Sequence, residues 1–289
     1  MRIDDMYLSF DMKLQRDSYD KETGTGGNKT FTKNIEKNWN NTYSRMNPEQ
    51  KKLWDAHYDK MNAKFKEDNP QGKDLLIWKY QRYMKDYLRC LLSLDENIGR
   101  VLDYLDENGL SENTIVVYTS DQGFYLGEHG WYDKRFMYEE SLSMPLVMRY
   151  PAEIKPGQVS DKMVLNLDFA STFLDYAGVP IPEEIQGISL RRLASGQNVP
   201  DWRKSIYYHY YEHPHGWHNV RKHYGVRTER YKLIHFYEDE VSWELFDLQE
   251  DPQEMLNLYA DSAYAGIIVE LKEELKRLQT LYGDTSIAS

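Results

Sequence analysis

The segment Thr114 to Thr119, "TIVVYT", constrains the fold of this chain more than any other stretch. It is a run of β-branched and aromatic residues with no polar alternation, which is typical of a strand covered on both faces in a parallel α/β sheet. A helical repeat of apolar residues begins at Asp74 and ends before Gly109, a residue type suited to the position after a helix. The sequence therefore predicts a helix followed by a buried strand. The apolar positions expected to face a core are Leu91, Leu94, Ile98, Val101, Leu102 and Leu105.

The remaining elements predict an α/β fold with a second, antiparallel part. A further strand is expected from Met144, and a helix with Asp168 as its N-cap is expected to end before Gly178. Beyond Pro200, aromatic and β-branched residues alternate between turns, which favours antiparallel strands, and an amphipathic helix closes the chain. We therefore predict an α/β domain over 1–199 and a C-terminal α+β subdomain over 200–289.

Composition excludes several classes of protein. The 289 residues carry a net charge of -11, which argues against a nucleic-acid partner because such a partner requires a basic face. We find no apolar run long enough to span a membrane and no signal peptide at the start. The single cysteine, Cys90, excludes an intramolecular disulfide and is expected to pack as a small buried hydrophobe.

Polar residues follow the predicted strand directly. Asp121 and Gln122 supply hard oxygen ligands of the kind that Ca²⁺ or Mg²⁺ prefers, and Gly123 lets the backbone approach an ion closely. An Asx-type turn after the strand explains these three residues equally well. Lys134 follows across a loop rich in glycine and aromatic residues, and its ammonium group suits a phosphate or sulfate oxygen.

Several separated motifs occur in the order typical of one enzyme family. They are "LDENIGRVLDYLDENGLSENTIVVY", "TSDQGFYLGEHGWYDK", "MPLVMRYP", "NLDFASTFLDYAGV", "IQGISL" and "LFDLQEDPQEMLNL". From about Tyr83 to its end the chain resembles the C-terminal half of a type I sulfatase of the alkaline-phosphatase-like superfamily. The segments "GWYDKRFMYEES" and "YYHYYEHPHGWHNVRKHYGVRTERYKLIHFY" are most similar to bacterial N-acetylglucosamine-6-sulfatases.

The resemblance implies a Ca²⁺ site and a nucleophile supplied from elsewhere. Asp121 and Gln122 match two ligands of the family's Ca²⁺, and Lys134 matches the lysine that contacts sulfate. The family's nucleophile is a formylglycine made from Cys or Ser in a C/S-x-P/A-x-R motif. Cys90 is followed by "LLSL" and does not fit that motif. We therefore expect this chain to be the C-terminal part of a longer enzyme and to be inactive alone.

Three groups of residues are candidates for binding the substrate. Asp133 and Arg135 flank Lys134 and suit sugar hydroxyls, although a salt-bridged loop explains them equally well. His129 is either a sulfate contact or a structural hydrogen-bonding residue in a glycine-flanked turn. His209 and His218 belong to a Tyr/His-rich segment that suits a carbohydrate cleft, with packing or a zinc site as alternatives.

These expectations combine into one functional hypothesis with two rivals. We expect a Ca²⁺-dependent sulfatase that removes sulfate from a glycan, with 6-O-sulfated N-acetylglucosamine as the implied substrate. The rivals are a phosphodiesterase or phosphonate hydrolase of the same superfamily and a non-catalytic carbohydrate-binding fragment. The resemblance implies a periplasmic or secreted full-length protein, and exposed sheet edges are expected to favour oligomers.

Overall fold

The computed structural model describes residues 43–212, 220–238 and 241–286. These residues form two compact units. The first combines the described parts of Met1–Ser93, Tyr125–Asp133 and Glu212–Arg221, and the second combines those of Leu94–Phe124, Lys134–Tyr211 and Lys222–Ser289. The predicted boundary near Pro200 lies within the second unit by this division and stays a prediction.

Two helices and a short hairpin make up the first unit. Helix α1, Pro48–Asp68, begins at a capping box in which Asn47 and Gln50 exchange side-chain and backbone hydrogen bonds. Helix α2, Gly72–Glu107, continues into the second unit and is followed by Gly109 with a φ of 66°, as predicted. Strands β2, Tyr125–Leu126, and β3, Tyr132–Asp133, pair antiparallel.

The face of α2 that was predicted to lie against a core is partly exposed, since Ile98, Leu102 and Leu105 are half-buried and the other three positions are exposed. Leu91 is 39% exposed, Leu94 is 45% exposed and Val101 is 59% exposed. Cys90 is exposed as well, so the expectation that it packs as a buried hydrophobe is wrong. An amphipathic repeat shows which face of a helix is apolar, but it does not show what covers that face.

Strand β1, Val116–Thr119, pairs antiparallel with β4, Leu146–Arg149, in the second unit. The prediction of a parallel strand buried on both faces is therefore wrong for the described residues. The directly opposed side chains of Tyr118 and Val147 are 38% and 62% exposed. A continuous apolar run indicates a strand, but it cannot distinguish the direction of the partner strand.

Helix α4, Asp168–Tyr176, begins where predicted, yet Asp168 is not its N-cap. The carboxylate of Asp168 accepts hydrogen bonds from the backbone N–H groups of Leu165 and Ile188, each at 2.8 Å. It also forms a bidentate ion pair with Arg203. The Asp168 side chain is fully buried. Through these hydrogen bonds it joins three chain segments instead of capping one helix. Two further short helices are α3, Glu139–Leu142, and α5, Arg191–Ala194.

The antiparallel sheet predicted after Pro200 is present and holds a hydrophobic core. Its order is β5-β6-β7-β8, all antiparallel. The closing helix α6, Ala265–Leu281, buries Leu271, Leu275 and Leu278 against this sheet. The strands are β5, Ser205–Tyr210, β6, His223–Thr228, β7, Tyr231–Phe236, and β8, Ser242–Asp247.

Candidate active site

A cleft of about 690 Å³ lies at the end of β1 in the second unit. Asp121, Gln122, Lys134 and Arg135 all line it, so the structure brings four of the predicted site residues to one cavity. Asp121 is exposed and Gln122 is half-buried. The backbone carbonyl of Asp121 accepts a hydrogen bond of 3.4 Å from the side-chain amide of Asn166. The cleft therefore contains carboxylate, amide and ammonium groups in one place.

Gly123 is needed because the chain passes very close to another backbone segment. A Cβ atom at this position would lie 2.8 Å from the carbonyl oxygen of Ser143 and would overlap the carbonyl group of Glu140. The Gly123 N–H donates to the carbonyl oxygen of Ser141 at 2.9 Å. This contact fixes the loop of Asp121 and Gln122 against helix α3.

Lys134 and Arg135 reach the cleft from the segment that precedes α3. The Lys134 ammonium lies 6.0 Å from the centre of the Phe124 ring, within the range of a weak cation–π interaction. Arg135 has a φ of 109°, an uncommon value for a residue with a side chain. The three residues that follow Arg135, Phe136, Met137 and Tyr138, are fully buried.

A buried group of charges beneath this segment was not found from the sequence. The Lys232 ammonium is fully buried and lies 2.8 Å from a Glu139 oxygen and 2.7 Å from a Glu254 oxygen. Arg227 pairs with Glu139 at 3.0 Å. Burial opposes ionisation of Glu139, but Lys232 and Arg227 hold its pKa near 2. The available signal was a lysine inside the apolar strand "YKLIHF", which requires a buried counter-charge.

His129 and Asp133 belong to the first unit. His129 is buried, has a φ of 54°, and lies with its ring centre 5.6 Å from that of Trp131 and 6.0 Å from that of Tyr125. Asp133 ends β3 and is half-buried, with a φ of 84°. The aromatic packing favours a structural part for His129, and its assignment as a substrate contact stays a prediction.

His209 lies outside the cleft lining, in a buried polar cluster of the second unit. Its ring nitrogens contact an Asp284 oxygen and the Tyr237 hydroxyl, each at 2.6 Å. Burial lowers the pKa of His209, although Asp284 opposes that shift. The cluster joins β5 to the turn after α6, so packing explains His209 without a ligand. His218 lies outside the residues that the structure describes.

The cleft offers two oxygen donors to a hard cation. Asp121 and Gln122 provide a carboxylate and a side-chain amide at the same edge of β1, which suits part of a Ca²⁺ shell. Over residues 43–212, 220–238 and 241–286, no group of three or more His, Cys, Asp or Glu residues is arranged to hold a metal. Because Ca²⁺ takes about six to eight oxygen ligands, these residues fit as contributors to a larger set.

Comparison with known proteins defines the class to which this fold and cleft belong. The family model described as "Sulfatase" matches residues 17–179, and the model described as "N-sulphoglucosamine sulphohydrolase, C-terminal" matches residues 127–281. Each match covers more than half of the chain. The chain belongs to the sulfatase family, and its solved structural neighbours include sulfatases of the alkaline-phosphatase-like class. The predicted resemblance is confirmed.

Two relatives and one solved structure show how similar this chain is to individual sulfatases. The chain is 51% identical, over 84% of its length and 44% of the relative, to an N-acetylglucosamine-6-O-sulfatase of Bacteroides thetaiotaomicron. It is 31% identical, over 74% of its length and 45% of the relative, to an arylsulfatase of Clostridium perfringens. A solved structure in complex with its substrate D-glucosamine-2-N,6-O-disulfate superposes with a TM-score of 0.83 at 48% identity, covering 89% of this chain and 52% of that one.

This chain therefore spans about half the length of the curated relatives it matches. Among the described residues, none of the helices is long and apolar enough to cross a membrane.

Proposed function

We propose that this chain forms part of a sulfatase that hydrolyses the 6-O-sulfate ester of N-acetylglucosamine in a glycan. The observation that carries the proposal is the cleft in which Asp121, Gln122, Lys134 and Arg135 meet. Identity of 51% to a relative named for this activity supports the substrate class. In this proposal the full-length protein is periplasmic or secreted, where sulfated glycans are met.

Lys134 and Arg135 have different parts in this proposal. The Lys134 ammonium binds a sulfate oxygen and stabilises the charge that develops there as the ester bond breaks. Arg135, with five donors in a planar fork, binds neighbouring ring hydroxyls. Asp121 and Gln122 would hold Ca²⁺, which supplies Lewis-acid polarisation of the sulfate when it is bound. A formylglycine nucleophile would come from outside this chain, since Cys90 does not fit its motif.

Metal binding and sulfate binding can be tested separately with two variants of the full-length protein. We expect Asp121→Ala to remove both calcium and activity, because it removes a charged ligand. Lys134→Ala should keep calcium but lower turnover roughly 10² to 10³-fold, as the loss of one electrostatic donor does. Calcium content is measured by atomic emission on the same preparations. An equal loss of calcium in both variants would contradict this division.

Substrate specificity tests the proposal as a whole. A site that hydrogen-bonds to sugar hydroxyls rejects the wrong epimer, because buried polar groups are then left unpaired. The full-length enzyme should therefore prefer 6-sulfated N-acetylglucosamine to the galactosamine epimer. Arg135→Ala should erode that preference more than it affects a small aryl sulfate. Equal rates on both epimers, or activity confined to 2-O- or N-sulfates, would remove the assignment of substrate.

A further inference from the structure

The backbone of Arg135 is held in an unfavourable conformation by two other elements. Its φ of 109° lies where residues with a Cβ atom are rarely found. Such a conformation is energetically unfavourable and persists only when surrounding contacts fix it. The Arg135 N–H donates to the Ser141 hydroxyl at 3.0 Å, and the Tyr208 hydroxyl donates to the Arg135 carbonyl at 2.6 Å. Both polar groups of the Arg135 backbone are therefore fixed by side chains of other elements, Ser141 of α3 and Tyr208 of β5.

Ser141 also connects this turn to the loop of the two oxygen donors. Its hydroxyl accepts from Arg135, and its carbonyl accepts from the Gly123 N–H at 2.9 Å. Ser141 is buried, so water does not readily replace either contact. One residue of α3 thus joins the chain beside Lys134 to the chain beside Gln122.

Tyr208 is suited to hold the other side of Arg135. It lies on β5, and its ring stacks on that of His223 with centres 5.6 Å apart and planes inclined by 28°. Burial raises the pKa of Tyr208 to about 12, so its hydroxyl remains a protonated donor at physiological pH. Neighbouring rings therefore orient a donor whose protonation does not change in the working range.

We propose that Ser141 and Tyr208 are positioning residues that clamp the Arg135 backbone and thereby aim the Lys134 and Arg135 side chains into the cleft. This inference deepens the proposed function and rests on it for its catalytic consequence. The clamp itself is a property of the chain. It can therefore be tested without substrate.

Hydrogen exchange of the Arg135 amide in the 289-residue chain tests the clamp. Ser141→Ala removes the acceptor and should accelerate this exchange roughly ten-fold, while Ser141→Thr should restore the wild-type rate because it keeps a hydroxyl. Tyr208→Phe removes only the donor to the carbonyl and should accelerate exchange roughly five-fold. The matched control is Tyr224→Phe, which removes a hydroxyl that lies 2.7 Å from a His235 nitrogen in the same sheet. Exchange in Ser141→Ala and Tyr208→Phe equal to that in the control would overturn the clamp.

Kinetics of the full-length sulfatase test the consequence. Ser141→Ala and Tyr208→Phe should lower kcat on 6-sulfated N-acetylglucosamine roughly 10- to 100-fold with calcium content unchanged, because misplacement of catalytic groups costs rate. Ser141→Thr and Tyr224→Phe should keep wild-type kcat. Faster exchange with unaltered kcat would overturn the positioning part. If the two variants exchange faster but the wild-type full-length protein does not desulfate this substrate, the clamp stands and the proposed function is refuted.

Discussion

At the scale of single residues, Gly123 is constrained by its neighbours and not by its own dihedral angle. A Cβ atom would lie 2.8 Å from the Ser143 carbonyl oxygen and would overlap the Glu140 carbonyl, both of which are backbone groups. We expect Gly123→Ala to lower the free energy of unfolding by about 1–3 kcal/mol, since the backbone must shift to admit the methyl group. Urea denaturation measures this change.

The matched control for this prediction is Gly99→Ala on α2. A Cβ atom at Gly99 meets nothing within 4 Å, so alanine should raise the free energy of unfolding by about 0.5–1 kcal/mol through its helix propensity. If Gly123→Ala proved as stable as this control, the close approach of the two backbone segments would be incorrect.

Glu244 predicts a particular dependence of stability on pH. Its side chain is buried and accepts from the Tyr138 hydroxyl at 2.5 Å, and burial raises its pKa from 4.5 to about 7. Because the folded state binds this proton more tightly, the contribution of Glu244 to stability is complete below pH 4.5 and is lost as the pH rises to about 7.

Glu244→Gln should therefore flatten the stability profile over that interval. The amide stays neutral at every pH. As the pH rises from acidic to alkaline, the free energy of unfolding of the variant should therefore increase by on the order of 1–3 kcal/mol relative to that of the wild type. Urea denaturation at a series of pH values measures the difference. Parallel profiles for the two proteins would show that folding does not raise the pKa of Glu244.

Residues of the cleft were predictable from sequence to different degrees. Asp121, Gln122 and Lys134 follow a strand or a glycine-rich loop in a pattern that indicates an anion and metal site, and they line one cleft. Ser141 and Tyr208 had no such signal, because the property that matters is a hydrogen bond between each side chain and the backbone of Arg135, which no residue pattern indicates. A sequence pattern can therefore predict candidate binding residues, but it does not indicate which other residues hold their backbone in place.

At the scale of elements, the buried ion pairs of Lys232 join strand β7 to helix α3 and to the turn after β8. Replacing Lys232 by methionine leaves the carboxylates of Glu139 and Glu254 without their shared cation. Glu254 is fully buried, so this substitution should lower the free energy of unfolding by about 3–5 kcal/mol. Urea denaturation at neutral pH measures the effect.

Lys222→Met provides a control for the burial of the pair. Lys222 pairs with Glu238 at 2.7 Å, but the Glu238 side chain is 48% exposed. Water screens such a pair, so its loss should cost less than about 1 kcal/mol. Similar losses in the Lys222 and Lys232 variants would contradict the buried state of the Lys232 network.

The antiparallel sheet β5 to β8 was predictable, whereas the pairing of β1 was not. Alternating aromatic and β-branched residues predict the strands, and the short connections 229–230 and 237–241 favour antiparallel pairing of β6 with β7 and of β7 with β8. The connection between β5 and β6, residues 211–222, is longer and gives no such signal. The partner of β1 is β4, across an intervening segment of loops and short elements. No local pattern encodes the direction of a pairing between strands so far apart in the chain.

At the scale of the whole molecule, exposed apolar residues predict self-association of the purified 289-residue chain. Tyr118 and Val147 oppose each other on the β1–β4 ladder at 38% and 62% exposure, and an apolar patch on a sheet promotes association. Val147→Lys should reduce the association measured by sedimentation. Val241→Lys, at a position that is 67% exposed beside β8, should leave it unchanged. A wild-type chain that remains monomeric at all concentrations would contradict this prediction.

The same purified chain should not hydrolyse sulfate esters. Cys90 lies in "CLLSL", which lacks both the Pro or Ala and the Arg of the formylglycine motif, and the described residues contain no group of three or more His, Cys, Asp or Glu residues arranged to hold a metal. We expect no turnover of 4-nitrocatechol sulfate above the level of a Lys134→Ala variant. Cys90→Ala serves as a second control, because residual activity from an unexpected thiol nucleophile would disappear in it. Robust turnover that persists in Cys90→Ala and disappears in Lys134→Ala would show that the cleft itself completes the reaction, and the expected inactivity would then be wrong.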